Sequence, residues 1–375
     1  MRYAAIVATL AGTVGLPIGA PAGVALTGAP LRAPTDVCVV NDPRATELSG
    51  LVATPTGYVA VNDGQDRPSQ VHIVYLDDAC AVAKVTSYPT AARDPEDIAV
   101  APDGTLWVAD TGDNITNDNR RTTIALWKVP PTGPPVIHRL TYPDGPHDAE
   151  ALLFGADGKP VVVTKEVTGI AGIYVPTADL QPNSQAGVKL RRVGEFRARA
   201  NGENNPFGAL GEVVVTGAAR SPDGRRVALR TYTAAYEWDV PDGDIVKALT
   251  TTTPRLTALP DEPQGEAIAY TVDGTAFLTL SDEPRATTLR KTTPSTATLV
   301  TAPPSGSPPP APAPTGLAAI PLWLTLPVAA IGLAIAAVGF VGLRRSRRPD
   351  EEEPTDGTGP TDDAETPSTA TRTGG

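Results

Sequence analysis

Apolar and polar positions along the chain repeat one short pattern five times: SGLVATPTGYVAVND (49–63), EDIAVAPDGTLWVADTGDN (96–114), EALLFGADGKPVVVTKE (150–166), TGAARSPDGRRVALRTY (216–232) and EAIAYTVDGTAFLTLSDE (266–283). In each copy the first residue stands eight positions before a glycine, at Gly57, Gly104, Gly158, Gly224 and Gly274. A short apolar strand, a tight turn with Asp-Gly in four of the five copies, and a second strand rich in Val, Leu, Trp or Phe predict a β-hairpin. Further strand-like runs follow, such as VHIVYL and AVAKVTSY after the first copy and TIALWKV and VIHRLTY after the second. Each unit therefore reads as about four strands.

The copies start 47, 54, 66 and 50 residues apart. Four-stranded units at a period of roughly 40 to 50 residues are the signature of a β-propeller. The predicted fold class is all-β: a propeller of five blades, with six as the alternative if the 66-residue interval hides a degenerate blade. Residues Ala186 to Gly211 read better as an outer strand plus an insertion, and Thr35 to Asn41 is available to close the ring against the last blade. With 35 Gly and 40 Pro and no long 3.6-residue period between the termini, a helical bundle is disfavoured.

The two ends carry a different message. Met1 and Arg2 precede an uncharged apolar run, and Ala20-Pro21-Ala22 offers the small residues of a cleavage site, so residues 1–22 read as a signal peptide. From Gly316 to Leu343, 28 residues pass without a charge, enough for one transmembrane helix. Arg344, Arg345, Arg347 and Arg348 follow and set that side as cytoplasmic. The expected organisation is a propeller ectodomain at 35–301 outside the cell, a Pro-rich stalk at 302–315, a single membrane span at 316–343 and a disordered acidic tail at 344–375 in the cytoplasm. Cys38 and Cys80 are the only cysteines, compatible with one disulfide in an oxidising compartment or with two buried thiols.

Residues 35–315 hold 34 Asp and Glu against 24 Lys and Arg. Such a field disfavours nucleic acid and favours bound cations. In a propeller the start of each first strand and the end of each second strand lie on one face near the axis. That geometry would collect Glu96, Asp97, Glu150 and Glu266 with Asn62, Asp63, Asp110, Asp113, Asn114, Lys165, Glu166, Arg230, Asp282 and Glu283. Carboxylates so close raise one another's pKa unless a counter-charge is present. Ca²⁺, which takes six to eight oxygen ligands, is the expected cofactor, with Glu96, Asp97, Asp110, Asp113, Glu150, Glu266 and Asp282 as candidate ligands. Lys165 and Arg230 are the candidate contacts to an anionic ligand. Acid and Asn at strand ends also make turns and bond blade to blade, the competing role for any one of them.

The words D-x-E-D-I (Asp94 to Ile98), D-x-E-A-L (Asp148 to Leu152) and Q-x-E-A-I (Gln264 to Ile268) resemble those of β-propeller phytases and the broader phytase-like, esterase-like propellers. The resemblance implies Ca²⁺ on Glu96, Glu150 and Glu266, with Lys165 and Arg230 on phosphate. Ser49 and Thr216 stand where the other copies carry Glu, so two units depart from the pattern. Lactonase propellers of the gluconolactonase type are similar too, but their opening Glu-Gly-Pro word is missing. WD40 repeats are not supported, because Trp238-Asp239 occurs once and out of register.

Of the histidines His72, His138 and His147, only His147, beside Asp148 and Glu150, falls on the mouth, and there is no Gly-x-Ser-x-Gly elbow. The sequence therefore predicts a membrane-anchored propeller that binds a divalent cation and a ligand, in a binding or scaffold role. A Ca-dependent phosphoesterase or a lactonase-like hydrolase is the enzymatic alternative.

Overall fold

A computed structural model describes residues 33–64, 70–116, 119–259 and 262–298. The expected signal peptide at 1–22, stalk at 302–315, membrane span at 316–343 and tail at 344–375 lie outside the described residues. Among the described residues no helix is long and apolar enough to cross a membrane.

After β1 (Thr35–Val40) come five four-strand groups. The first holds β2 to β5 (Leu48–Thr54, Gly57–Asn62, His72–Leu76, Val82–Ser87) and the second β6 to β9 (Pro95–Val100, Leu106–Asp110, Ile124–Val129, Val136–Thr141). The third holds β10 to β13 (Ala149–Phe154, Pro160–Thr164, Ile170–Pro176, Val188–Arg197) and the fourth β14 to β17 (Gly217–Arg220, Arg226–Arg230, Ala234–Asp239, Arg255–Ala258). The last comprises β18 to β20 (Gly265–Tyr270, Phe277–Ser281, Thr287–Thr292), and β1 pairs antiparallel with β20 as its fourth strand. Within every group successive strands pair antiparallel.

The hairpins owe their shape to the Asp-Gly word, though the turn is longer than a two-residue loop. In the second group Gly104 N–H donates to Ala101 O at 2.9 Å, and Asp103 Oδ1 accepts from Thr105 N–H at 2.9 Å. Gly104 has φ +82°, a left-handed conformation that closes a type I turn without steric cost to glycine. The same pair of bonds recurs around Gly158, Gly224 and Gly274.

The first strands form a closed ring in which β2 packs beside β6, β6 beside β10, β10 beside β14, β14 beside β18, and β18 beside β2. A cavity of about 340 Å³ confirms a shared axis, since all five strands line it: Leu51 from β2, Ile98 from β6, Phe154 from β10, Ala219 from β14 and Tyr270 from β18. Apolar side chains fill each seam between neighbouring groups rather than one centre. Val61 and Ile73 meet Ile98 and Trp127 in one seam, for example, and Phe154 and Tyr174 meet Trp107 and Leu126 in the next. Antiparallel four-strand groups standing around an axis and packed face to face are a β-propeller.

Two links close this ring. The pairing of β1 with β20 joins the N-terminal strand to the last group, and the disulfide Cys38–Cys80, with Cα atoms 5.8 Å apart, ties that strand to the loop after β4 in the first group. The ten-residue β13 also pairs in parallel with β9 through Val188↔Leu140 and Lys189↔Thr141, so the second and third groups merge into one eight-stranded sheet. The 66-residue interval holds that long outer strand followed by an insertion that includes a 3-10 turn at Gly208–Leu210.

Candidate metal and ligand site

Three register slips build the site. Pro95 faces Asp110 and Asp97 faces Ala109, so Glu96 is an extra residue in its ladder. Glu150 lies in the same way between Ala149↔Thr164 and Ala151↔Val163, and Glu266 between Gly265↔Ser281 and Ala267↔Leu280. Each glutamate is thus the bulged residue of an inner strand. A bulge re-aims the side chain it carries, and here all three carboxylates gather at one end of the axis.

Hydroxyls anchor the backbone at each bulge. Ser49 Oγ donates to Glu96 O at 2.5 Å, Thr111 Oγ1 to Ala149 O at 2.6 Å, and Thr216 Oγ1 to Gly265 O at 2.9 Å. All three hydroxyl residues are fully buried. Each one sits on the neighbouring group and fixes the carbonyl of the glutamate or of the residue before it.

The carboxylates form two overlapping triads. Asp63, Glu96 and Glu266 each offer an oxygen within 4.8 Å of the others, and so do Glu96, Asp148 and Glu150. Glu96 is common to both. Lys165 is the ammonium inside this group: it pairs with Glu150 and stands 3.9 Å from Glu266 Oε1. Its Nζ also lies 5.2 Å from the Tyr232 ring centroid, and Tyr232 donates to Glu266 Oε1 at 3.3 Å. Gln264 reaches both Asp282 and Glu266.

Burial and crowding govern the protonation. Burial first, then Asp63 and Glu150, holds the Glu96 carboxyl well above its ordinary range. Glu150 is raised well above its range by burial although Lys165 opposes the shift, and Glu266 is raised by burial against Lys165 and Arg230. Burial, then Glu266 and Asp94, raises Asp63. Asp282 is pushed up to about 8 by burial and then by Glu266. For Lys165 burial works against the charge, but Glu150 and Glu266 outweigh it and the ammonium is held well above its ordinary value. One lysine does not satisfy the set: Glu150 Oε2, Glu266 Oε2 and Asp282 Oδ1 are buried without a hydrogen-bond partner.

No protein-family model and no curated protein matches this chain. Among solved structures it is similar to the Cps50 (Swd1) β-propeller domain of Myceliophteria thermophila, with 11% identity and a TM-score of 0.36 over 69% of this chain and 99% of that one.

Of the residues singled out in the sequence, the fold unites Glu96, Glu150, Glu266, Asp282 and Lys165. It does not bring Asp97, Asp110, Asp113 or Arg230 into that group as free ligands. Asp97 points the other way along β6 and accepts from Ile98 N–H and Leu152 N–H, both at 2.8 Å, latching β6 to β10. Asp110 accepts from Arg93 N–H, Asp94 N–H, the Trp127 indole and the Arg121 guanidinium. Asp113 is taken by Arg93, Arg120 and the Arg121 N–H. Arg230 has no exposed surface; it bonds Glu262 Oε2 at 2.9 Å and Ala267 O at 2.8 Å. Asp63, expected at the mouth from its place at a strand end though not as a ligand, joins the site beside the assigned glutamates, as do Asp94, Asp148 and Gln264. For the last three the signal lay in the same words, as the first letters of D-x-E and Q-x-E.

Proposed function

We propose that this chain is a five-bladed propeller whose axial mouth binds a divalent cation, and through it a ligand, in a binding or scaffold role. The observation that carries this reading is the pair of buried, unpartnered oxygens, Glu150 Oε2 and Glu266 Oε2, in a cluster whose two triads alone set five carboxylates against one ammonium. A buried charged oxygen without a donor is costly, and a hard cation would serve both oxygens at once. Asp63, Glu96, Asp148, Glu150 and Glu266 are all oxygen donors with no His or Cys among them, a set that suits Ca²⁺ better than a transition metal. Isothermal titration of the full chain with CaCl₂ should give saturable binding that Glu96→Gln abolishes, because both triads share Glu96. Equal heats for wild type and variant would sink the proposal.

The sequence of the two ends supports export by residues 1–22 and anchoring by residues 316–343, which would place the mouth outside the cell. Protease added to intact cells should then remove the propeller and spare the tail. Asp282, a carboxyl at about 8 with an unpartnered oxygen beside the glutamates, favours a second reading, a cation-dependent phosphoester hydrolase. A phosphoester panel with Ca²⁺, comparing wild type, Asp282→Asn and Glu150→Gln, tests it; no turnover by wild type retires the enzyme.

A further inference from the structure

Beside the carboxylates lies a second feature that the cation reading does not use. Four large apolar side chains stand open to solvent around one cavity of about 270 Å³: Ile115 at 67% exposure, Val167 at 55%, Phe207 at 42% and Leu210 at 41%. They come from three separate loops, after β7, after β11 and in the insertion before β14. Half of the eight large hydrophobics exposed among the described residues thus collect at this one place. Clustered exposed apolar surface rimmed by polar groups marks a binding site far more often than scattered exposure does.

The cavity is continuous with the carboxylate cluster. Asp148 and Lys165 belong to both, and so does Tyr232, whose ring stacks on Phe207 with centroids 4.5 Å apart and planes at 30°. From Phe207 the path runs through Tyr232 to Glu266. The insertion is held in place over this path: Asn201 N–H donates to Glu212 at 2.7 Å, and Tyr232 N–H to Gly211 O at 3.2 Å. Arg120 and His147 add basic groups to the rim. Each is already paired, Arg120 with Asp113 and His147 with Glu166 and Asp144.

We propose that this cavity seats the apolar part of the ligand, so that the mouth takes an oxyanion carrying a compact aryl or branched alkyl group. The oxyanion end would lie toward Lys165 and a cation on the glutamates, and the apolar end among Phe207, Leu210, Val167 and Ile115. The head-group half rests on the cation reading above; the apolar half rests on the cavity alone.

The test compares phenyl phosphate with inorganic phosphate on the full chain by isothermal titration in CaCl₂, after a titration with CaCl₂ alone. Phenyl phosphate should bind about tenfold tighter, the order expected for burying part of one ring. The double variant Phe207→Ala, Leu210→Ala should bring it to the level of inorganic phosphate and leave Ca²⁺ binding unchanged. Val167→Ser, at another exposed position, should reduce the preference without touching the insertion. Equal affinity for the two anions in the wild type, no binding of either, or an equal loss for both anions in the variants overturns the proposal. If Ca²⁺ alone gives no binding, the cation reading fails, and the same pair run without Ca²⁺ decides the cavity: a surviving preference for phenyl phosphate keeps it, and none overturns it.

Discussion

Two kinds of inner strand surround the axis, and they divide the work of one site. In β6, β10 and β18 the repeat opens with Glu96, Glu150 and Glu266, each at a bulge, each delivering a carboxylate to the mouth. In β2 and β14 the same position in the repeat is Ser49 and Thr216. These side chains bring a hydroxyl where the others bring a carboxylate. They bond to the backbone of the next strand in the ring, at Glu96 O and Gly265 O, and Ser49 Oγ also stands 3.4 Å from Glu96 Oε2. The backbone does not follow this division: β2 slips register between Leu48 and Leu51, around Ser49, whereas β14 runs without a bulge through Gly217↔Arg230 and Ala218↔Leu229. A position that reads as a gap in a ring of acids is therefore a clamp that holds a neighbouring acid in place. Thr111, outside the repeat position, does the same for the bulge of Glu150.

The strongest way to break the acid half of this division is to remove its ammonium. Lys165→Met leaves Glu150 and Glu266 buried with no cation between them and should cost about 3 kcal/mol at pH 8 in EDTA, read by urea unfolding. Excess Ca²⁺ should restore most of that loss. A variant as stable as wild type in EDTA would show that the cluster tolerates its own charge.

Calcium added to the wild type should act slightly less. At a hundredfold excess over Kd, binding to the folded state alone stabilises by about 2.7 kcal/mol, visible as a rise in Tm over EDTA. The size of that rise should depend on pH. Burial and Glu266 lift the Asp282 carboxyl from its ordinary 3.8 to about 8, so the folded state keeps a proton that the unfolded chain has released. That contribution is complete below pH 3.8 and is lost as the pH climbs through about 8. Glu96, Glu150 and Asp63 shift in the same direction. Stability in EDTA should accordingly fall between pH 4 and pH 8, and Ca²⁺ should flatten the slope; a Ca²⁺ effect as large at pH 5 as at pH 8 would contradict it.

The hydroxyl half should give the smallest effects. Ser49→Ala and Thr216→Val each remove one buried hydrogen bond and should cost about 1 kcal/mol. If these residues position the glutamates, Ca²⁺ affinity should fall as well, about tenfold as for other groups that orient metal ligands. Ser49→Thr, which keeps the hydroxyl, should recover affinity. Loss of stability with unchanged affinity would reduce them to packing.

Much of the architecture is legible before any fold is known. The eight-residue offset to glycine marks five hairpins, and in four of them the Asp-Gly word forces the turn because Asp caps the following N–H and glycine accepts φ of +68 to +82°. The closing strand at Thr35–Val40 and the outer strand in the long interval follow from what remains. Inside the site the sequence separates less well. Glu96 and Asp97 are adjacent acids, yet one faces the axis and the other latches β6 to β10. Asp110 and Asp113 look like free ligands, but Arg120 and Arg121 at the end of the same loop and Arg93 from before β6 satisfy them once that loop folds back.

The chain by itself determines the repeating hairpin, its turn chemistry and the acidic character of one end of most hairpins, because these depend on local spacing and on residue type. The tertiary structure alone decides which acids become neighbours. Register slips in three ladders, each a matter of one residue, aim the glutamates. Hydroxyls on adjacent groups fix them there, and ring closure brings side chains from positions 63, 96, 150 and 266 within 5 Å or so of a partner in the cluster. A slip of that kind costs little locally and leaves no mark in the alternation of apolar and polar positions, so only the packed ring selects it.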